Sequence, residues 1–319
     1  MIPCHLAMAS FLRYAGSDCP KKILPTPKGC RASVIFVTID LPRLLLHELG
    51  RRFIGPSIVM LNRIRLCLES LRVGEHAGPR IVFLHLPRTG GTALVKDIFF
   101  ANFPRSRLCH VNYGADMQAI DGAHDPLAWP AWRRKHVGFL GGHMPFGFAK
   151  HFPGRSEYIT LLRDPISRTV SDYHFCRNNP SNPAYEAATA LSLREFVERG
   201  FASSRNCYAR WLSNAVFGAK FHNQDEMLRE ALHNLAHFSF IGITELFDLS
   251  VARLCQKYGL AARAYSVDGR NAATPEARSM TPKELEVLRE ANTLDQVIYD
   301  ECRRRFAGID TAGPVESSA

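Results

Sequence analysis

A short loop rich in glycine and hydroxyl groups follows the first clearly apolar segment of the chain. Residues 81–86 have the length and apolar character of a buried strand in a parallel sheet, and Pro87 ends the strand because proline cannot donate a ladder hydrogen bond. Gly90 and Gly91 let the backbone approach a ligand closely, and Thr92 is a good N-cap for the helix that should follow. Such a turn directs backbone N–H groups and the positive end of a helix at one point, which favours a phosphate.

The cation in this loop is an arginine, Arg88, whose planar fork suits an oxyanion. The loop lacks the Gly-x-x-x-x-Gly-Lys-Ser/Thr spacing of the Walker motif, and it lacks the lysine. A nucleotide kinase or ATPase is therefore disfavoured. An ordinary strand–turn–helix joint, in which the glycines serve only the turn, remains an alternative for this segment alone.

A second polar segment follows the predicted strand 158–162. Arg163 lies at the end of that strand, where ligands bind in open α/β sheets. Asp164 as N-cap and Pro165 in the first turn begin a helix, and Ser171 lies two turns into it. An arginine fork and a hydroxyl together suit a phosphate dianion. The alternative is an Arg–Asp pair at a helix start with a surface serine.

A histidine, His143, follows two glycines at the end of the predicted strand 137–140. An imidazole with an ordinary pKa of about 6.5 can accept a proton near neutral pH. The chain has 13 histidines, so position rather than residue type makes His143 the candidate base. His151 and His85 are weaker candidates, and His85 lies within a strand, where we expect a core or supporting role.

The remaining patterns predict an α/β domain over residues 78–309. Strands at 81–86, 109–111, 137–140, 158–162 and 240–243 alternate with helical segments, which predicts a parallel sheet with right-handed crossovers. Capping boxes begin helices at Ser192 and Thr281, and residues 223–236 and 246–258 are further predicted helices. Residues 1–77 form a poorly defined, proline-broken extension, and residues 310–319 form a tail that we expect to be disordered.

Composition narrows the class of ligand. The 319 residues carry a net charge of +10, which suits anionic ligands, but no basic helix or recognisable module favours nucleic acid. Nine cysteines without a Cys-x-x-Cys pair argue against a zinc site and for reduced thiols in a cytoplasm. No run reaches the roughly 18 apolar residues of a membrane-spanning helix, and peripheral contact with a membrane is left open.

Two of these segments resemble motifs of the carbohydrate O-sulfotransferases, the group that includes the heparan sulfate 2-O and 6-O enzymes. Residues 84–92, LHLPRTGGT, resemble the family's 5′-phosphosulfate loop, and residues 162–171 resemble its 3′-phosphate motif, Leu-Arg-Asp-Pro followed by an arginine and a helix serine. Weaker likeness extends the resemblance over about residues 80–307. It implies a P-loop-like three-layer fold with a central parallel sheet and a helical C-terminal part.

The resemblance also implies an activity: transfer of a sulfuryl group from 3′-phosphoadenosine 5′-phosphosulfate (PAPS) to a hydroxyl of a glycan or glycoconjugate, without a metal. His143 takes the role of general base, as in the family's Gly-His-x-Pro-Phe segment. Arg163 and Ser171 hold the 3′-phosphate. The 5′-phosphosulfate lies against the loop residues Arg88, Thr89, Gly90, Gly91 and Thr92.

One departure from the family leaves a second function open. Arg88 stands where the family has lysine, so charge at the bridging oxygen is retained but proton donation is not. A catalytically weakened PAPS- or nucleotide-binding protein is therefore the alternative. Animal members of the family carry a membrane anchor, and its absence here suggests a bacterial, cytoplasmic protein. Residues 179–222 interrupt the nucleotide-binding core, and we expect acceptor selection there.

Overall fold

The computed structural model describes residues 78–112, 125–262 and 280–311. All of them belong to one compact unit within Gly55–Ala319. The predicted extension, residues 1–77, lies outside the described residues, and so do residues 312–319 of the predicted tail. Residues 310 and 311, which were also predicted to belong to that tail, instead end the last helix. No helix in the described part of the chain is both long enough and apolar enough to cross a membrane.

A parallel five-stranded sheet forms the centre of the domain, as the sequence predicts. The strand order is β2-β3-β1-β4-β5, with β1 in the middle and β3 and β4 on either side of it. Two of the polar segments found in the sequence lie in the loops that follow β1 and β4, and the third, with His143, forms the last residues of β3. Because the strands are parallel, the three segments lie next to one another at the same edge. The strands are β1 Arg80–Leu84, β2 Leu108–Asn112, β3 Phe139–His143, β4 Ser156–Leu162 and β5 Phe238–Ile243.

Helices cover both faces of the sheet and form the C-terminal part. The first helix, α1, is continuous but contains a π-helical middle: Gly91–Ala93, Leu94–Phe99 and Phe100–Asn102. The others are α2 Ala131–Lys135, α3 Pro165–Arg177, α4 Tyr185–Ala190, α5 Leu193–Glu198, α6 Cys207–Leu212, α7 Gln224–Leu235, α8 Phe247–Tyr258, α9 Pro282–Ala291 and α10 Thr293–Thr311. Short 3-10 turns lie at Arg105–Arg107, Pro126–Ala128, Phe148–His151, Ala215–Phe217 and Thr244–Leu246.

The start of α1 differs from the prediction that Thr92 is its N-cap. The helix already begins at Gly91, and the N-cap position is Gly90, with φ 82°. A left-handed residue turns the chain sharply, and glycine adopts that conformation without steric cost. The helix therefore starts two residues earlier than predicted, and Thr92 lies inside its first turn.

Alternating side chains of the central strand, β1, belong to two separate hydrophobic cores. Val82 and Leu84 belong to one cluster, together with residues of α6, α7 and α10 such as Ile298. Ile81 and Phe83 belong to the other, which includes residues of α1 and α8. Successive side chains of a strand point to opposite faces, so the two clusters are the two interlayer cores. This confirms the predicted three-layer fold.

Close packing at the end of β3 requires a glycine. Gly142 pairs with Leu84 of β1 on one side and with Val111 of β2 on the other. Its φ is 130°, and a Cβ atom there would lie 1.9 Å from the Val111 carbonyl oxygen. Any larger residue would therefore push β2 and β3 apart directly before His143.

Candidate active site

A cleft of about 600 Å³ opens at the carboxyl edge of the sheet and brings the three polar segments together. Of the residues singled out from the sequence, those that line it are His85, Arg88, Gly90, Thr92, His143, Arg163 and Ser171. Thr89 and Gly91 do not line the cleft, and neither does His151, whose ring packs against Phe148 at 5.7 Å between centroids.

Thr89 holds the loop from the inside. Its side chain is fully buried, and its hydroxyl donates to the Leu86 carbonyl at 2.9 Å. The Thr244 hydroxyl, at the end of β5, lies 2.6 Å from the Thr89 carbonyl oxygen and 2.9 Å from that of Leu162. Its proton is therefore shared between the loop after β1 and the end of β4. This bridge fixes the two predicted phosphate-binding segments relative to each other.

Gly91 forms the contact between the loop and the histidines. A Cβ atom at Gly91 would lie 2.4 Å from Cδ2 and 2.6 Å from Nε2 of His85, and 2.8 Å from the Phe83 ring. Only glycine leaves room for His85 beneath the first turn of α1. Because Gly91 has no side chain, the ring of His85 can pack directly against its backbone.

His143 lies beside a second histidine at the rim of the cleft. The rings of His85 and His143 stack with centroids 4.6 Å apart and an interplanar angle of 17°. Burial lowers the pKa of His143, and its hydrogen bond to the His85 backbone opposes that shift. The pKa of His85 is held well below its ordinary value by burial and then by the nearby His143. Both rings are therefore neutral near pH 7.

The tautomer of His143 follows from its hydrogen bond. Nδ1 lies 2.7 Å from the carbonyl oxygen of His85, and because a carbonyl only accepts, Nδ1 carries the proton. Nε2 then keeps its lone pair and can accept a proton. The Trp211 ring of α6 lies 5.4 Å from the His143 ring. His143 therefore has the protonation state that a general base needs.

Arg163 is fixed through its backbone, which leaves its side chain available. The Tyr208 hydroxyl accepts from the Arg163 N–H at 3.0 Å and donates to the Arg163 carbonyl at 2.6 Å. The residue is 6% exposed and lines the cleft. No described residue accepts a hydrogen bond from its guanidinium or forms an ion pair with it. A buried cation without a carboxylate partner favours an anionic ligand.

The helix α3 begins as predicted and presents Ser171 to the cleft. Asp164 is the N-cap and accepts from the Ser167 N–H at 2.8 Å. Ser171 accepts from Nε and Nη2 of Arg88 at 3.3 and 3.2 Å. The same guanidinium lies over the Phe175 ring, 4.5 Å from its centroid. Residues from the two separate sequence motifs are therefore in direct contact.

Phe175 and Asp172 are cleft residues that the sequence interpretation did not single out. Phe175 lies one helical turn after Ser171, a spacing that could have revealed it. Asp172 accepts from the Ser203 N–H at 3.1 Å and lies 3.9 Å from the fully buried Arg168. That arginine also donates to the Ser203 carbonyl at 2.6 Å. Together these contacts fix the segment around residue 203 against α3 at the wall of the cleft.

Asp172 and Cys176 both line the cleft. The described cysteines are all buried: Cys109, Cys176, Cys207, Cys255 and Cys302. Within residues 78–112, 125–262 and 280–311, no group of three or more His, Cys, Asp or Glu side chains is placed to hold a metal ion.

Sequence comparison finds relatives of the group that the motifs resemble. No family model matches the chain. Mouse heparan-sulfate 6-O-sulfotransferase 3 is 26% identical over 212 residues, which covers 52% of this chain and 44% of the relative. The heparan sulfate 2-O-sulfotransferase of Caenorhabditis elegans is 23% identical over 211 residues, 60% of this chain and 65% of the relative. The chain thus spans less than half the length of the first of these relatives.

A solved structure of a mouse sulfotransferase, SULT7A1, complexed with PAP matches with a TM-score of 0.34 and 18% identity, over 68% of this chain and 70% of that one. The relationship itself is carried by the two sequence relatives. They confirm the resemblance to heparan sulfate 2-O and 6-O sulfotransferases that the two motifs indicated.

Proposed function

We propose that this chain, a relative of the heparan sulfate O-sulfotransferases, transfers a sulfuryl group from PAPS to a hydroxyl of a carbohydrate or glycoconjugate acceptor. The observation that carries the proposal is the composition of one cleft. It combines a glycine loop at a helix start, a buried arginine without a carboxylate partner, and a neutral histidine with a free Nε2. The loop and the arginine suit the two anionic groups of the donor, and the histidine suits the acceptor hydroxyl as a base.

The donor has two anionic ends, and the cleft offers two places for them. The backbone N–H groups of the loop after β1 and the first turn of α1 suit the 5′-phosphosulfate. Arg163 and Ser171, from the end of β4 and from α3, suit the 3′-phosphate. The hydroxyl of Thr244 fixes the distance between these two places because it bridges both segments.

The reaction requires one proton transfer and one in-line displacement. Nε2 of His143 removes the proton of the acceptor hydroxyl while that oxygen attacks the sulfur. The bond between sulfur and the bridging phosphate oxygen breaks, and its electrons leave with 3′-phosphoadenosine 5′-phosphate (PAP). Preorganised N–H groups of the loop stabilise the charge that develops on the departing phosphate.

A carbohydrate acceptor is supported by the relatives and by one aromatic side chain. Both relatives are named for heparan sulfate. Trp211 lies 5.4 Å from the ring of His143, in the region 179–222 where we expect acceptor selection. An indole combines an apolar face with a polar N–H, which suits a sugar ring beside the base. A cytoplasmic location and a bacterial type stay predictions from the sequence.

Calorimetric titration with PAP, AMP and ATP tests the donor site. We expect PAP to bind more tightly than AMP, and Arg163→Ala to remove that difference, a loss of about 10- to 100-fold for a charge-assisted contact. Arg105→Ala is the matched control, because it removes the same charge from an exposed turn that does not line the cleft. Equal affinity of the wild-type protein for PAP and AMP would contradict the proposal.

A catalytically weakened nucleotide-binding protein is the second candidate, and the position of Arg88 favours it. The Arg88 guanidinium contacts Ser171 and Phe175. In addition, arginine stays protonated and cannot donate a proton to the leaving group. Incubation with ³⁵S-labelled PAPS and a panel of glycans separates the two functions. Tight PAP binding without transfer of label to any glycan would support the second candidate.

A further inference from the structure

We infer that Arg88 binds the 3′-phosphate of the donor, together with Arg163 and Ser171, and so sets the preference for 3′-phosphorylated nucleotides. This inference rests on the proposed function and refines its donor site. The resemblance alone implies a different place for Arg88, against the bridging oxygen of the 5′-phosphosulfate, where the family has lysine.

The direct evidence is the direction of the Arg88 side chain. Arg88 belongs to the loop after β1, but its guanidinium reaches α3. Nε and Nη2 both donate to the Ser171 hydroxyl, at 3.3 and 3.2 Å. An oxyanion that accepts a hydrogen bond from this hydroxyl lies within reach of the same fork. Arginine binds phosphate oxygens in this two-point manner.

A second side chain of α3 holds the guanidinium in that place. Phe175 follows Ser171 by one helical turn, and its ring centroid lies 4.5 Å from Cζ of Arg88. Phe175 is 40% exposed and lines the cleft. Stacking on its ring restricts the guanidinium without consuming its N–H donors. The fork is therefore oriented before a ligand arrives.

The balance of charge at this end of the cleft fits a dianion. Asp172 lies 3.9 Å from the buried Arg168, whereas the guanidinium-bearing residues Arg88 and Arg163 both line the cleft. Burial lowers the pKa of Arg88, Asp172 opposes that shift, and Arg163 and Arg168 add to it. Two clustered guanidinium groups gain most from a ligand that carries two negative charges.

The backbone of Arg88 adopts a conformation that is costly for arginine. Its φ is 64°, a left-handed conformation that non-glycine residues adopt rarely. Such conformations persist where the surroundings hold the residue in place. The contacts with Ser171 and Phe175 are those surroundings on the side of the cleft. Stabilisation of the bridging oxygen then falls to the N–H groups of the loop and to Thr92, which also lines the cleft.

Titration of side-chain variants with PAP and AMP tests the inference, because these nucleotides differ only in the 3′-phosphate. Arg88→Ala should weaken PAP binding by about 10- to 100-fold and AMP binding by less than about 3-fold. Arg88→Gly should give the same pattern, and it removes the side chain at a φ that glycine adopts freely. The glycine variant therefore keeps the test valid if the alanine variant folds poorly. Arg105→Ala, with an equal loss of charge, should change neither affinity.

A double-mutant cycle adds a test of the contact itself. If Arg88 and Ser171 act on the same phosphate, Arg88→Gly and Ser171→Ala combined should weaken PAP binding by less than the product of the two separate losses. Independent losses that multiply would contradict a shared subsite.

The outcomes separate this inference from the proposed function. An equal loss of PAP and AMP binding in the Arg88 variants would place Arg88 at the 5′ end and overturn the inference, while the wild-type preference for PAP would still support the donor site. Unchanged binding of both nucleotides would also overturn it. If the wild-type protein shows no preference for PAP, the proposed function fails first.

Discussion

At the scale of single residues, His143 owes its chemistry to its neighbours. Its Nδ1 is occupied by the His85 carbonyl at 2.7 Å, so the free lone pair lies on Nε2. Burial penalises a positive charge on His143, and the hydrogen bond to the His85 backbone opposes that lowering of the pKa only in part. The His85 ring stacks on the His143 ring, with centroids 4.6 Å apart. The consequence is an imidazole that stays neutral under mildly acidic conditions.

The pH dependence of the rate follows from that shift. Burial lowers the folded-state pKa of His143 below its ordinary value, so this residue, the proposed base, remains deprotonated as the pH falls through about 6.5. We expect kcat/KM to decline only below that pH. His143→Ala should lower kcat by at least about 100-fold with PAP affinity nearly unchanged, whereas His151→Ala, outside the cleft, should leave the profile intact. An acidic limb above pH 6.5 would argue against His143 as the base.

At the scale of elements, the sequence predicts which segments exist better than how they meet. The buried strands, the Asp164 cap and the capping boxes at Ser192 and Thr281 are confirmed because local side chain–backbone bonds determine them. The predicted start of α1 was wrong because the helix begins after Gly90, whose left-handed conformation is determined by the whole turn. The contact of Arg88 with Ser171 joins residues 83 positions apart, and no local pattern encodes it.

The joint between β1 and α1 can be tested at a single glycine. Gly91→Ala should destabilise the protein by about 1–3 kcal/mol, because the new Cβ meets the His85 ring at 2.4 Å. It should also weaken PAP binding, since the loop must move away from His85. Denaturant unfolding and calorimetry measure the two effects.

Gly308→Ala is the matched control for that prediction. Gly308 lies in α10, with nothing within 4 Å of a new Cβ atom, so alanine should leave stability unchanged or raise it by up to about 1 kcal/mol. A Gly91→Ala protein as stable as the Gly308→Ala protein would show that His85 is not held tightly against the loop.

At the scale of the whole molecule, the sheet needs cover on both faces before its edge can hold a ligand. One interlayer core includes residues of α1 and α8. The other is completed from the end of the described chain, by Ile298, Cys302 and Phe306 of α10. The sequence predicted these closing helices but not which face they cover, because hydrophobic periodicity gives the apolar side of a helix and not its partner.

Two adjacent residues of α10 test this arrangement. Ile298 is fully buried and Val297 is 47% exposed. Ile298→Ala should cost about 2–5 kcal/mol of unfolding free energy through the cavity it leaves, whereas Val297→Ala should change it by no more than about 0.5 kcal/mol. Chemical denaturation measures both. Because the cleft lies at the carboxyl edge and not in this interlayer core, the folded Ile298→Ala protein should still prefer PAP over AMP. Equal costs at the two positions would mean that α10 does not close this face of the sheet, and a loss of the PAP preference would mean that the core and the donor site are coupled.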